Sequence, residues 1–409
     1  MKILLITDAY PPVVNSAARL FSELAEDLSH QGHRVTVLTG KPDRYLAGDV
    51  GRVPRRPYLR ETRHGVRVHR LTVLPFSRKI PLFRILEQFS LAFTFLFLGL
   101  VLGRQHAVIV YSPPLPLGIT GYLIARLWRG QVVMNVEDLY PQTAIDLGLL
   151  HNRLIIALSR WMERFLYHHA DAITVHSDGN QSYIIDKGAA PSRVHTVFNW
   201  VDLEAQRPSS RDNNFRSMHG FGDAFVLSFA GVMGFAQGMD DIVEAACLLQ
   251  EHSNIIFLLA GDGVMRAEIE RKVTELGLTN VYLMSTQPPE VYYELLAASD
   301  VGLVPLRREL TTPVIPGKVQ SIMAAGRPIL CSANPRTDAV RLILEAECGI
   351  CVDAGCPQEL AAATLTLYND RALAQEMGRR GRAYAEAHFD RTRCIQQYLD
   401  VLAGEAREN

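Results

Sequence analysis

Three glycine-bearing turns in the second half of the chain carry the residues best suited to hold an anion. The first, 229–238, runs from apolar sequence through Gly231, Met233, Gly234 and Gln237 to a helical pattern that starts near Met239. Glycine lets the main chain approach a phosphate closely, and a helix start offers N–H groups and a partial positive charge. A tight strand-to-helix turn would use the same glycines. The second, 259–263, places Gly261, Asp262 and Gly263 ahead of a helix bearing Met265, Ile269 and Val273. Asp262 there either accepts hydrogen bonds from a ligand or caps that helix. The third, 311–330, contains Pro316, which suits a first helical turn, followed by Gly317, Lys318 and Ser321. The Lys318 ammonium adds to the helix-end field. Together the three starts point to a diphosphate ligand more firmly than any one of them.

In the first half, Glu137 and Asp138 end an apolar run. A carboxylate at that point orients an acceptor hydroxyl or takes its proton; alternatively Asp138 caps the turn before Pro141. His176, after the run 172–175, reads as structural.

These residues must be positioned by strands. Short apolar runs alternate with helical periods, the pattern of βαβ units in a parallel sheet covered on both faces. Residues 3–6 are the first run; Ala17, Leu20, Phe21, Leu24, Ala25 and Leu28 recur at helical spacing until Gly32, and 35–38 resumes as strand. Runs at 107–111, 132–136 and 172–175 continue the set, and the pattern restarts with 225–230, 255–260, 281–284, 301–305 and 328–331. The expected fold is α/β with two Rossmann-like doubly wound domains, 1–200 and 201–385, facing across a cleft. A C-terminal helix over 386–409 is expected to pack back toward the first domain, and 196–214 reads as the linker.

The bulk composition is that of an ordinary globular protein of two or three domains: 409 residues, 48% hydrophobic and 21% charged. A formal net charge of -1 excludes a general nucleic-acid binder. Charge is uneven, however. Between Lys41 and Gln88, twelve Lys and Arg face four Asp and Glu, and the apolar stretch 89–103 follows at once. That stretch is shorter than the roughly 20 residues needed to span a bilayer. A segment lying on the membrane surface over 41–103 fits, since basic residues beside apolar sequence attract anionic lipid; a buried core helix behind a solvated basic loop is the alternative. Cys348, Cys351 and Cys356 have no nearby fourth ligand for a structural zinc, so they and Cys247, Cys331 and Cys394 read as buried thiols. The first twelve residues read as a buried strand without a signal cleavage site, which places the protein in the cytoplasm, peripheral on the inner face of the membrane.

Taken together, the motifs resemble the family 4 glycosyltransferases, in particular the WbuB-like branch of O-antigen, capsule and exopolysaccharide transferases. The likeness rests on the Tyr10-Pro11-Pro12 loop, the run Gly32 to Thr39, Asp138-Leu139-Tyr140-Pro141, the run 170–175, Asn199 to Asp202, the Gly231 and Gly261 turns, and Met323 to Pro328. It implies a GT-B fold and retention of configuration. It also implies a nucleotide-diphosphate sugar, UDP by family habit, held mainly by the second domain, and a lipid-linked or polysaccharide acceptor held by the first. By the same resemblance Asn15 and Ser16 join the donor-binding set, and the base lies near Met284 to Gln287. Neither metal nor cofactor is implied. The usual paired glutamates of the third loop correspond to Pro313 and Ser321, and the usual basic pair of the first turn to Val232 or Met233 and Gln237. Phosphate charge then falls to Lys318, main-chain amides and Arg307 or Arg308. The rival readings are a nucleotide-sugar 2-epimerase of the same architecture and a non-catalytic scaffold.

Overall fold

The computed structural model describes residues 1–13, 15–41, 57–72 and 81–404. The chain divides into two compact units, Met1–Phe198 together with the stretch from Ile395, and Asn199–Cys394.

The first unit holds β1 (Lys2–Ile6), β2 (Arg34–Gly40), β3 (Tyr58–Arg63), β4 (Val66–Leu71), β5 (Ala107–Ser112), β6 (Gln131–Val136), β7 (Ala172–Val175) and β8 (Val194–Thr196). They form one sheet in the order β3-β4-β2-β1-β5-β6-β7-β8, parallel except for the β3–β4 hairpin. Ile3, Leu4, Leu5 and Ile6 are fully buried. Helices cover both faces, so the inner strands read as unbroken apolar runs rather than alternating ones. Asn15 caps the helix Ser16–His30 by accepting from the Ala18 N–H at 2.8 Å.

β3, β4 and β8 escape the apolar-run reading. The edge hairpin carries a charged residue at almost every second position, and its turn is made by His64 and Gly65 at positive φ. Arg70, counted above with the basic run, is buried, pairs with Glu61 at 2.8 Å and donates to the Pro11 carbonyl. It is a structural clamp rather than a surface charge. Arg44, Arg52, Arg55, Arg56, Arg78 and Lys79 lie outside the described residues.

The second unit holds β9 (Phe225–Ala230), β10 (Ile255–Ala260), β11 (Val281–Met284), β12 (Val301–Pro305), β13 (Ile329–Ala333) and β14 (Gly349–Asp353), all parallel, in the order β11-β10-β9-β12-β13-β14. In each sheet the winding reverses once, between β1 and β5 and between β9 and β12. Loops splay apart at such a switch, so a ligand site is expected beyond the carboxyl ends of those strands.

The chain's end is split between the units. Helix Arg371–His388 stays with the second, where Arg382 donates to the Ala324 carbonyl at 2.7 Å. Helix Arg391–Ala403 returns to the first through Tyr398, whose buried hydroxyl meets Asn135 at 2.5 Å on β6 and Thr174 at 3.1 Å on β7.

An ionic hub ties the second unit together. Asp300, just before β12, accepts the Val226 N–H at 2.8 Å and pairs with Arg211 and Arg371 at 3.1 Å and with buried Arg216 at 3.4 Å. Removing one member of a buried ion cluster leaves the others uncompensated. Asp300→Ala is therefore expected to destabilise this unit by about 3–5 kcal/mol, read as a lower midpoint for it in urea unfolding.

Candidate active site

The loop after β9 and the loop after β12 meet at one point in the second unit. A Cβ placed on Gly231 would lie 3.7 Å from Lys318 Cε and 3.9 Å from its Nζ, so the ammonium rests directly over that glycine. Lys318 Nζ donates to Gln237 Oε1 at 2.6 Å and sits 3.7 Å from the centre of the Phe229 ring. Burial holds this lysine down to about 7, with only a small opposing effect from the neighbouring Cys331 thiol. Among the described residues no carboxylate stands within ion-pair distance of it. The result is a cation supported by an amide oxygen and an aromatic face, placed where a bound anion would restore its charge.

The neighbouring turn is fixed by main-chain packing. A Cβ on Gly261 would fall 1.8 Å from the Gly231 carbonyl oxygen, and one on Gly263 would fall 2.4 Å from that of Met233. The Gly231 and Met233 N–H groups donate to Ala260 and Asp262 carbonyls, each at 2.9 Å. Gly261 and Gly263 are thus required for close approach of two backbones, and the turn-packing explanation accounts for them fully.

Only one of the three expected helix starts is free of acidic residues in its first turn. Helix Gly317–Ala324 begins without an acidic residue in its first turn; Pro316 is its N-cap rather than its first residue, and Gly317 leads it. Helix Met239–Leu248 opens with Asp240 and Asp241. Asp240 is engaged by Lys272 and by Arg307 at 3.9 Å, while Asp241 accepts from Ser332 and the Gly355 N–H. Helix Arg266–Glu275 has Glu268 in its first turn. Carboxylates already answer the positive ends of those two helices.

Other expected ligand residues have structural partners. Asp262 does not cap the following helix; it accepts the Thr286 N–H at 2.7 Å and pairs with Arg266 at 3.4 Å, and the Thr286 bond holds its carboxyl below the usual range. Arg266, unforeseen from the sequence, also donates to the Gly261 and Met284 carbonyls at 2.5 Å. Met233 is fully buried and both of its main-chain groups are bonded within the protein, to Asp262 and Met265, so the structure does not present it to a ligand; Gly234 is half-buried in the turn. Ser321 is buried within its helix, and Gln287 bonds the Ser285 carbonyl at 2.8 Å. Asn15 and Ser16 belong to the first unit, at the start of helix Ser16–His30. Cys331 and Cys351 face one another across β13 and β14, and Cys356 is the N-cap of helix Pro357–Asn369. Among the described residues no three His, Cys, Asp or Glu side chains converge as metal ligands.

In the first unit, four adjacent strands end in a second group. Asp8 follows β1, Tyr111 lies on β5, Glu137 and Asp138 follow β6, and His176 follows β7. The Tyr111 hydroxyl is pushed far up by burial and then by the charges of Glu137, Asp138 and Asp8. Asp138 keeps accessible surface although protein atoms crowd its carboxyl. That crowding raises its pKa, Glu137 acts in the same direction and His176 opposes both. His176 is buried, 3.7 Å from Glu137 and within 3.2 Å of the Asn180 amide. It braces Glu137, which leaves Asp138 as the accessible carboxylate of the pair. Asp8 was not anticipated, although its place directly after the first buried run is the position that drew notice to Asp138.

Residues 16–200 match the glycosyl transferase 4-like domain and residues 224–370 match glycosyl transferases group 1. The chain belongs to the family 4 glycosyltransferases. This transferase is 25% identical to WcaI of Escherichia coli K12, a colanic acid biosynthesis glycosyl transferase by its name, over 99% of this chain and 100% of that one. Two solved structures share its GT-B fold: sucrose-phosphate synthase of Thermosynechococcus elongatus, with a TM-score of 0.78 at 17% identity and 98% of both chains covered, and Anabaena HepE in complex with UDP-glucose, with a TM-score of 0.71 at 17% identity over 98% of this chain and 99% of that one.

Lys318 generates a pH test. A diphosphate beside it favours the ammonium, so above about pH 7 binding takes up a proton and weakens as pH rises, by up to about tenfold per pH unit. Calorimetry with UDP from about pH 7 to 9 is expected to show that decline. Lys318→Gln is expected to bind more weakly at the lower pH and to give a flat profile.

Proposed function

We propose that this glycosyltransferase moves a sugar, an N-acetylated or deoxy hexose, from a nucleotide diphosphate to a lipid-linked or polysaccharide acceptor in surface-glycan synthesis. It works at the inner face of the cytoplasmic membrane, with retention of configuration and without a metal ion. The observation that carries the donor half is the Lys318 ammonium held over Gly231 at the start of a helix free of acidic residues. UDP as the donor nucleotide is supported by family habit and by the UDP-glucose complex of HepE. A surface-glycan acceptor is supported by the name of WcaI.

In the reaction, the bond from the anomeric carbon to the β-phosphate oxygen breaks and negative charge collects on the departing diphosphate. Lys318, with the N–H groups of the helix begun by Gly317, stabilises that charge more in the transition state than in the ground state. The acceptor oxygen bonds to the same carbon on the same face, and its proton passes to the departing phosphate oxygen. Asp138, accessible and raised in pKa, orients the acceptor hydroxyl, with Glu137 held beside it by His176.

Incubation with labelled UDP- and GDP-sugars and a polyprenyl-diphosphate-linked saccharide should yield transferred sugar. Release of a free C2 epimer, or no product from any donor, would overturn the proposal. Lys318→Ala and Asp138→Asn are each expected to lower kcat by about 10²–10³ without changing the melting temperature. Near-normal turnover in either variant removes that residue from the mechanism.

A further inference from the structure

Three helices of the first unit form a continuous layer with a large exposed apolar surface. Helix Pro81–Val101 packs on helix Leu115–Leu127 so closely that a Cβ on Gly99 would lie 2.2 Å from Ile124 Cδ1. Helix Arg153–His169 packs on the other side of Leu115–Leu127, with the Phe165 ring edge-on to Tyr122 at 5.1 Å and Trp161 stacked on Phe165 at 5.7 Å.

Each helix turns a line of large apolar side chains outward. On the first, Leu86, Phe89, Phe93, Phe97 and Val101 follow one another every three or four residues, and Phe93 and Phe97 are 73% and 69% exposed. Leu123 and Leu127 continue the surface on the middle helix. On the third, Leu154, Leu158 and Trp161 form a line that ends at Phe165, and Leu154 is 82% exposed. A folded protein gains nothing by leaving such a surface in water, so it has an occupant.

Charge identifies the occupant. Among the described side chains of these helices the two acidic residues, Glu87 and Glu163, are both buried, whereas Arg153, Arg160 and Arg164 are exposed; Arg126, also exposed, already pairs with Asp171 at 3.0 Å. The layer therefore shows apolar lines flanked by positive charge and no exposed carboxylate. A second copy of the same face would bring arginine against arginine. No described helix is long and apolar enough to cross a membrane. Apolar side chains with a tryptophan and flanking arginines suit the boundary between acyl chains and anionic head groups.

We propose that this three-helix face docks on an anionic phospholipid bilayer, with helix Arg153–His169 as a second contact beside Pro81–Val101. The inference rests on the reading of a membrane-borne acceptor and extends its contact from the segment 41–103 to a second, distant part of the sequence.

The test is co-sedimentation of the full chain at physiological salt with vesicles of phosphatidylcholine alone or with about one third phosphatidylglycerol. Binding to the mixed vesicles is expected to fall about tenfold or more in Leu154→Ser/Trp161→Ser and in Phe93→Ser/Phe97→Ser. Arg160→Gln/Arg164→Gln should lose about fivefold per charge on mixed vesicles and little on neutral ones. Unchanged melting temperatures and UDP-induced stabilisation show that fold and donor site survive. The proposal is overturned if the wild type ignores both vesicle types, if only the Phe93/Phe97 pair matters, or if the wild type is a dimer that the serine variants convert to monomer. Failed docking with intact transfer to a soluble short-chain acceptor sinks this inference alone. Docking without transfer from any nucleotide sugar sinks the proposed function alone.

Discussion

The contact on which the surroundings of Lys318 depend is one of backbone against backbone. The Gly231 carbonyl occupies the space that a side chain on Gly261 would need, and two main-chain hydrogen bonds hold the turns together. With the turns so fixed, Gly231 is left as an open floor, and Lys318 arrives over it from the loop beyond β12. Burial pushes this lysine down to about 7, so an anion beside it would restore the ammonium charge. Gln237 and Phe229 keep it in place without neutralising it.

The two sheets solve the same problem with opposite chemistry. In the second unit the loops beyond the winding reversal gather a cation and main-chain N–H groups. In the first they gather Asp8, Glu137 and Asp138 around the half-buried Tyr111. Parallel sheets covered by helices oblige polar function to collect at strand ends, because every other part of the strands is enclosed. Burial, and then the neighbouring Glu137 charge, raise the Asp138 carboxyl. The buried His176 moderates that cost by standing near Glu137.

Much of this was legible in the chain. Buried strands are short apolar runs, and β1, β2, β5, β6, β7 and all of the second sheet except β14 can be read off directly. The edge hairpin β3–β4 could not, since Arg70 becomes a buried residue only through Glu61 and the Pro11 carbonyl, partners remote from it in sequence. Asp262 looked like a helix cap until β11 brought Thr286 to it. The basic excess before the apolar stretch 89–103 was visible, but the matching apolar line on helix Arg153–His169 reads as an ordinary amphipathic face until its neighbours are known.

The sequence by itself determined the two α/β units, the glycine turns and the types of residue that end the strands, because these follow from local spacing and from the conformational range of single residues. Tertiary structure alone decided which helix start is free of acidic residues, which carboxylate is accessible, and which lysine is pushed down by burial. Those properties depend on atoms from several strands meeting at one place, and distance in space is not recorded in distance along the chain.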